Sequence, residues 1–165
     1  MNIVNLRNAD TPEKFDDQPN YFGSMLGLSK MFGAQKLGFH LEVLDPKNFS
    51  CPYHYHEQEE ELFVVIEGEA IVRCNGEYRK ITAGDLVFYP VGADHVHAMY
   101  NHTDKPFRFL ALSNVSTERD VCHYPDSGKL TTERGIEQNG EVVPYFMDEE
   151  DPAKYWSEQA LRGEV

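Results

Sequence analysis

Two short histidine patterns constrain this chain more than any other feature. The first, Pro52-Tyr-His-Tyr-His-Glu-Gln-Glu-Glu-Glu-Leu-Phe-Val-Val-Ile-Glu-Gly68, carries His54, His56 and Glu61. In extended backbone, alternate side chains share a face, so His54 and His56 point the same way. Glu61 follows far enough on for the chain to turn and return a carboxylate to them. The second pattern runs from Gly84-Asp-Leu-Val-Phe-Tyr-Pro-Val-Gly92 into Ala93-Asp-His-Val-His-Ala-Met-Tyr-Asn101, where His95 and His97 repeat the spacing. Four of the seven histidines therefore fall in two like pairs. A lone pair reads most simply as surface or satisfied core. Two pairs, each beside a glycine-bounded apolar strand, point to one metal centre, and imidazole with carboxylate suits Zn, Fe, Mn, Ni or Co.

The segments around these patterns read as strands. Leu37, Phe39, Leu41 and Val43 alternate with more polar residues, which predicts a half-buried strand with those four inward and His40 and Glu42 outward. Leu62 to Ile66 is apolar on both faces, so Phe63 and Val65 are expected to follow Glu61 inward. Asn75-Gly76 between two strand-like runs is a strong hairpin signal, because a type I′ turn needs positive φ at both positions. Further strands are expected at Leu86 to Tyr89, His95 to Tyr100 and Phe107 to Ser113. Short strands separated by Gly, Pro and Asn turns predict an antiparallel barrel or sandwich. The expected organisation is an N-terminal arm (1–33), a barrel (34–115) and a C-terminal extension packed on it (116–165). In that extension Asp148-Glu-Glu-Asp-Pro152 is read as a helix start. A short helical segment is expected over Ala153 to Leu161, with Tyr155 and Trp156 docking on the barrel.

The ordered residues resemble the motifs of the cupin superfamily. His54, His56, Glu61 and Gly68 fit its first motif. Gly84, Pro90, Gly92, His97 and Asn101 fit its second, with a longer loop after Gly92. The resemblance spans residues 37 to 113. It implies an all-β jelly-roll barrel of two antiparallel sheets. It also implies one divalent transition metal per chain, held by His54, His56, Glu61 and His97, with His95 as the alternative to His97. His97 is favoured because its spacing to Asn101 runs through a strand rather than a loop. The family includes isomerases, dioxygenases, decarboxylases, sensors and storage proteins, so the motifs do not select a reaction.

The reading is a metal-dependent enzyme of dioxygenase, isomerase or lyase type with a barrel pocket for a small organic molecule. The competing reading is a non-catalytic binding or sensing module whose ion is structural or holds an effector. Phe39, Phe63 and Met99 are expected to line the pocket, with His95 and Tyr100 as candidate catalytic groups. The family commonly pairs barrels through an outer sheet face. The apolar stretch of Tyr21, Phe22, Met25, Leu26, Leu28, Met31 and Phe32 is therefore read as part of a homodimer interface.

Charge narrows the partners. A formal net charge of −13 over 165 residues argues against nucleic acid and anionic membrane as partners. No run of about twenty apolar residues offers a transmembrane helix, and the first residues lack the pattern of a signal peptide. Three scattered cysteines, Cys51, Cys74 and Cys122, fit a reducing cytoplasm better than a disulfide framework. Cys51, near the histidines, is read as a packed residue at a strand start rather than a ligand.

Overall fold

The structure is a computed structural model describing residues 1–15 and 17–165. Its largest sheet takes the order β1 (Glu13–Phe15), β2 (Gly23–Leu26), β3 (Leu37–Leu44), β10 (Phe107–Asn114), β5 (Glu61–Glu67), β8 (Leu86–Tyr89). Facing it is a three-stranded sheet of β7 (Glu77–Thr82), β6 (Glu69–Cys74) and β9 (His97–Tyr100). All these pairings are antiparallel. Between the two sheets lies a core of Leu44, Phe63, Val65, Ala70, Val72, Ile81, Tyr89, Met99, Phe107, Phe109 and Ala111. Phe63 and Val65 thus follow Glu61 inward. This is the antiparallel double-sheet jelly roll.

Three local features hold the barrel's turns. The β6–β7 hairpin turns at Asn75 (φ 46°) and Gly76 (φ 78°), the positive pair that the Asn-Gly signal requires. Gly68 sits at φ 84° between β5 and β6, where an added Cβ would lie 2.8 Å from the Pro106 carbonyl oxygen. Asn101, fully buried, donates to the carbonyls of Leu44, Asp45 and Lys105 and accepts from Thr103. Its place after β9 is structural, since one amide ties its own loop to the one that follows β3.

The inward face of β3 is the reverse of the one expected. His40, Glu42 and Leu44 pair with Ala111, Phe109 and Phe107 of β10, whose side chains form the interior. Directly opposed residues share a face, so His40 and Glu42 point into the barrel and Phe39, Leu41 and Val43 point out. The outer face is covered: Phe39 packs against Phe32 of the short helix α1 (Leu28–Phe32), ring centroids 6.2 Å apart. Arg108, on the outer face of β10, donates to the carbonyls of Leu6 and Ala9. Phe39 is therefore no part of the pocket lined by Phe63 and Met99. Hydrophobic alternation misjudged the strand because β3 is covered on both faces and its inner end is polar.

The N-terminal residues fold on their own barrel. Tyr21 and Leu28 are 3% and 1% exposed, while Met31 is exposed. The C-terminal residues are more than an extension. β11 (Cys122–Tyr124), β12 (Lys129–Thr132), β13 (Gly135–Gln138) and β14 (Glu141–Val142) form a meander whose first strand pairs with β4 (Tyr55–His56). Instead of one helix over Ala153 to Leu161 there is a 3-10 turn at Pro152–Tyr155, then α2 (Glu158–Arg162) capped by the Ser157 hydroxyl. Trp156 stays extended between them and inserts against Phe49 and Tyr78. Among the described residues no helix is long and apolar enough to cross a membrane.

Candidate metal centre

Backbone pairing assembles the cluster. His54 and His97 exchange both backbone hydrogen bonds, at 3.0 and 2.8 Å. Such a pair directs its side chains to one face, and the two rings lie 4.7 Å apart. Glu61 opens β5 beside Tyr89 of β8 and Ser113 of β10. Its Oε2 lies 3.0 Å from His97 Nε2 and 3.6 Å from both His54 Nε2 and His56 Nε2. Three imidazoles thus converge on one carboxylate oxygen.

The far nitrogen of each ring is committed to an acceptor. His54 Nδ1 bonds the Pro52 carbonyl at 3.0 Å, His97 Nδ1 the His95 carbonyl at 2.9 Å, and His56 Nδ1 the Asp120 carboxylate at 2.5 Å. With the proton on Nδ1, each Nε2 presents a lone pair to the cluster, the arrangement that orients metal-binding histidines. Tyr89 stacks on the His97 ring, 3.5 Å between centroids and 6° between planes.

Electrostatics divide the rings: against the cost of burial, the neighbouring Cys51 and Glu61 raise the His54 pKa well above its ordinary value. Burial opposes ionisation of Glu61, yet the facing His54 and His97 rings hold its carboxyl well below the usual range. Burial likewise keeps His97 below its ordinary value and so neutral, outweighing the pull of Glu61. Asp120 also accepts from the backbone N–H groups of Gln58 and Glu59. Against the cost of burial, the His56 hydrogen bond and these donors lower its pKa. Glu61 Oε2 and His97 Nε2 face each other, buried, and among the described residues neither has a hydrogen-bond partner. Two buried lone pairs facing each other at 3.0 Å, ringed by oriented imidazoles, fit a divalent cation.

The cluster opens on a cavity of about 420 Å³ bounded by Phe63, Met99, Phe109 and Ala111, by His40 and Glu42 of β3, and by Cys122, Tyr124 and Tyr145. Burial pushes both tyrosine hydroxyls well above the ordinary phenol value, so they remain O–H donors. It also pushes the Cys122 thiol up to about 11.

The structure brings His54, His56, Glu61 and His97 together, with Phe63 and Met99 beside them. His95 it places elsewhere, in a separate cleft between β7 and β8, where only its backbone carbonyl serves the cluster. Tyr100 is also excluded. Its neighbour Met99 faces the interior, and Tyr100 stacks on Phe49 at 4.4 Å in the outer aromatic cluster with Trp156. Neither lines this cavity. Sequence reasoning missed Asp120, Cys122, Tyr124 and Tyr145, which carry no motif. It set aside His40 and Glu42 through the parity of β3.

A double-sheet barrel with a histidine–carboxylate cluster at one end defines a recognisable class. Residues 40–113 match the cupin domain family, and the chain carries a cupin domain. Among curated proteins it is 25% identical over 116 residues to quercetin 2,3-dioxygenase of Bacillus subtilis, covering 65% of this chain and 34% of that protein. It is 31% identical over 104 residues to the dimethylsulfoniopropionate lyase DddQ of Ruegeria pomeroyi, covering 62% of this chain and 49% of that one. The chain thus spans half or less of the length of these relatives. Solved structures share the fold: a sugar phosphate isomerase of the cupin superfamily from Silicibacter pomeroyi matches with TM-score 0.71 at 21% identity, covering 87% of this chain and 97% of that one. The polyketide cyclase RemF of Streptomyces resistomycificus matches with TM-score 0.58 at 20% identity, covering 73% and 83%.

Proposed function

We propose that this protein is a metal-dependent enzyme of the isomerase or lyase class, moving a proton on a small carboxylate or carbonyl substrate. The carrying observation is a second polar pair in the same cavity as the cluster. His40 Nε2 lies 3.1 Å from Glu42 Oε2, and Glu42 Oε1 is buried with no partner among the described residues. His54, His56, Glu61 and His97 would hold a divalent ion, which would supply a Lewis acid for a substrate oxygen. Glu42, through its free oxygen, takes the proton from the neighbouring carbon while His40 holds the other oxygen in place. The proton then returns to the adjacent carbon in an isomerisation, or a leaving group departs in an elimination. Tyr124 and Tyr145 donate to substrate oxygens, and Phe63, Met99 and Phe109 keep water out. The relative named a lyase, 31% identical over 104 residues, is consistent with this reading.

Metal-loaded protein in deuterated water, given a panel of small hydroxy acids, keto acids and sugar phosphates, is expected to place deuterium at carbon in at least one of them. Glu42→Gln should cut that rate about 10²- to 10⁴-fold with metal content unchanged. Oxygen uptake without exchange would instead assign the protein to the dioxygenases.

The proposal includes a homodimer. Supporting it, Leu86 and Phe88 are 59% and 48% exposed on β8, a free edge of the large sheet. Light scattering should give twice the mass of one chain at micromolar concentration, and the mass of a single chain would rule it out.

A further inference from the structure

We propose that Cys122 is a direct ligand of the metal, a sulfur donor added to the three histidines and Glu61. The inference rests on the reading of the cluster as the seat of a divalent ion. It concerns a residue outside both cupin motifs, delivered by the C-terminal meander.

Register places the thiol. Cys122 stands directly opposite His56 in the β11–β4 pair, and opposed residues present their side chains on one face. Since His56 points into the cluster, so does Cys122. Its neighbours at alternate positions confirm the face: Asp120 bonds the His56 ring, and Asp120, Cys122 and Tyr124 all line the cavity. The thiol sulfur and one ring nitrogen each of His54 and His56 lie within 4.8 Å of one another. The same limit holds for His54, Glu61 and His97. His54 belongs to both groups, and His56 joins the second through its 3.6 Å approach to Glu61. An ion held by the shared histidines would have Cys122 as a donor in addition to Glu61 and His97. Cys122 is 6% exposed, so water competes poorly for that position.

The other cysteines are excluded by position. Cys51 Sγ lies 3.5 Å from His54 Nδ1, the nitrogen already bonded to the Pro52 carbonyl and turned away from Glu61. Cys74 lines the separate cleft between β7 and β8. On binding, the metal–sulfur bond forms and the thiol proton leaves to solvent. A thiolate beside imidazoles favours Zn, Co, Fe or Ni over Mn or Mg.

Cobalt(II) reports the ligand directly, because a coordinated thiolate gives an intense near-ultraviolet charge-transfer band. Wild-type and Cys51→Ser proteins should bind one cobalt per chain and show the band. Cys122→Ser should bind cobalt about 100-fold more weakly, a direct ligand costing at least as much as an outer-shell partner, and lack the band. X-ray absorption of the zinc-loaded wild-type protein, which needs no variant to fold, should show one sulfur at about 2.3 Å beside the nitrogen and oxygen donors. One cobalt per chain with no band, and a zinc shell without sulfur, would overturn the role of Cys122 and leave the metal centre standing. A band lost in Cys51→Ser and kept in Cys122→Ser would also overturn it. Failure of the wild-type protein to bind either metal would remove this proposal together with the metal centre itself.

Discussion

Replacing His97 with alanine is expected to weaken metal affinity by more than about 100-fold, while His95→Ala leaves it within a few-fold. The two residues have the same local spacing and opposite surroundings. His97 is 2% exposed, with Nε2 3.0 Å from Glu61 and its ring stacked on Tyr89. The side chain of His95 lies in another cleft. Its contribution to the cluster is the carbonyl that receives the His97 Nδ1 proton, and alanine keeps that carbonyl. Asp120→Ala belongs between the two, at about 10- to 100-fold, because it removes the acceptor that orients His56 without removing a ligand. Competition against a chromogenic chelator measures all three. A larger loss for His95→Ala than for His97→Ala would refute the assignment.

Lys129→Ala should destabilise the fold by about 3 to 5 kcal/mol, the usual cost of breaking a buried ion pair from one side. Lys129 and Glu149 are each 1% exposed, and Nζ lies 2.7 Å from Glu149 Oε2. The ammonium also donates to the carbonyls of Tyr145 and Met147 at 2.5 and 2.7 Å. Its loss leaves the Glu149 carboxylate buried without a counter-charge and frees the turn that sets Tyr145 at the cavity. Replacing both partners by apolar residues of similar size, Lys129→Met with Glu149→Leu, should recover most of the stability. Urea denaturation decides the point. A single-variant loss below about 1 kcal/mol would place this pair with ordinary surface ion pairs. The pair also links stability to the site, since the segment it anchors forms part of the cavity wall.

What the sequence determined by itself is what local spacing controls. Asn75-Gly76 made its hairpin because the turn chemistry resides in those two residues. His54, His56, Glu61 and His97 could be marked from the spacing within their motifs, although the His54–His97 bridge that brings the two motifs together is long-range. Asn101 could be marked from its spacing to His97, although its role as a tie between loops emerges only from its partners. Alternation, by contrast, reports which residues share a face and not which face is inside. A shift of one residue reverses the whole strand. On β3 both faces are covered and the inner one carries the polar pair His40 and Glu42, so hydrophobicity pointed the wrong way. On β9 the same parity sends Tyr100 out and Met99 in. Only the tertiary structure delivered Asp120, 64 positions from the His56 it orients, and Cys122 beside it. Their arrival depends on β11 pairing with β4, a long-range contact between two short strands that leaves no periodic trace in either.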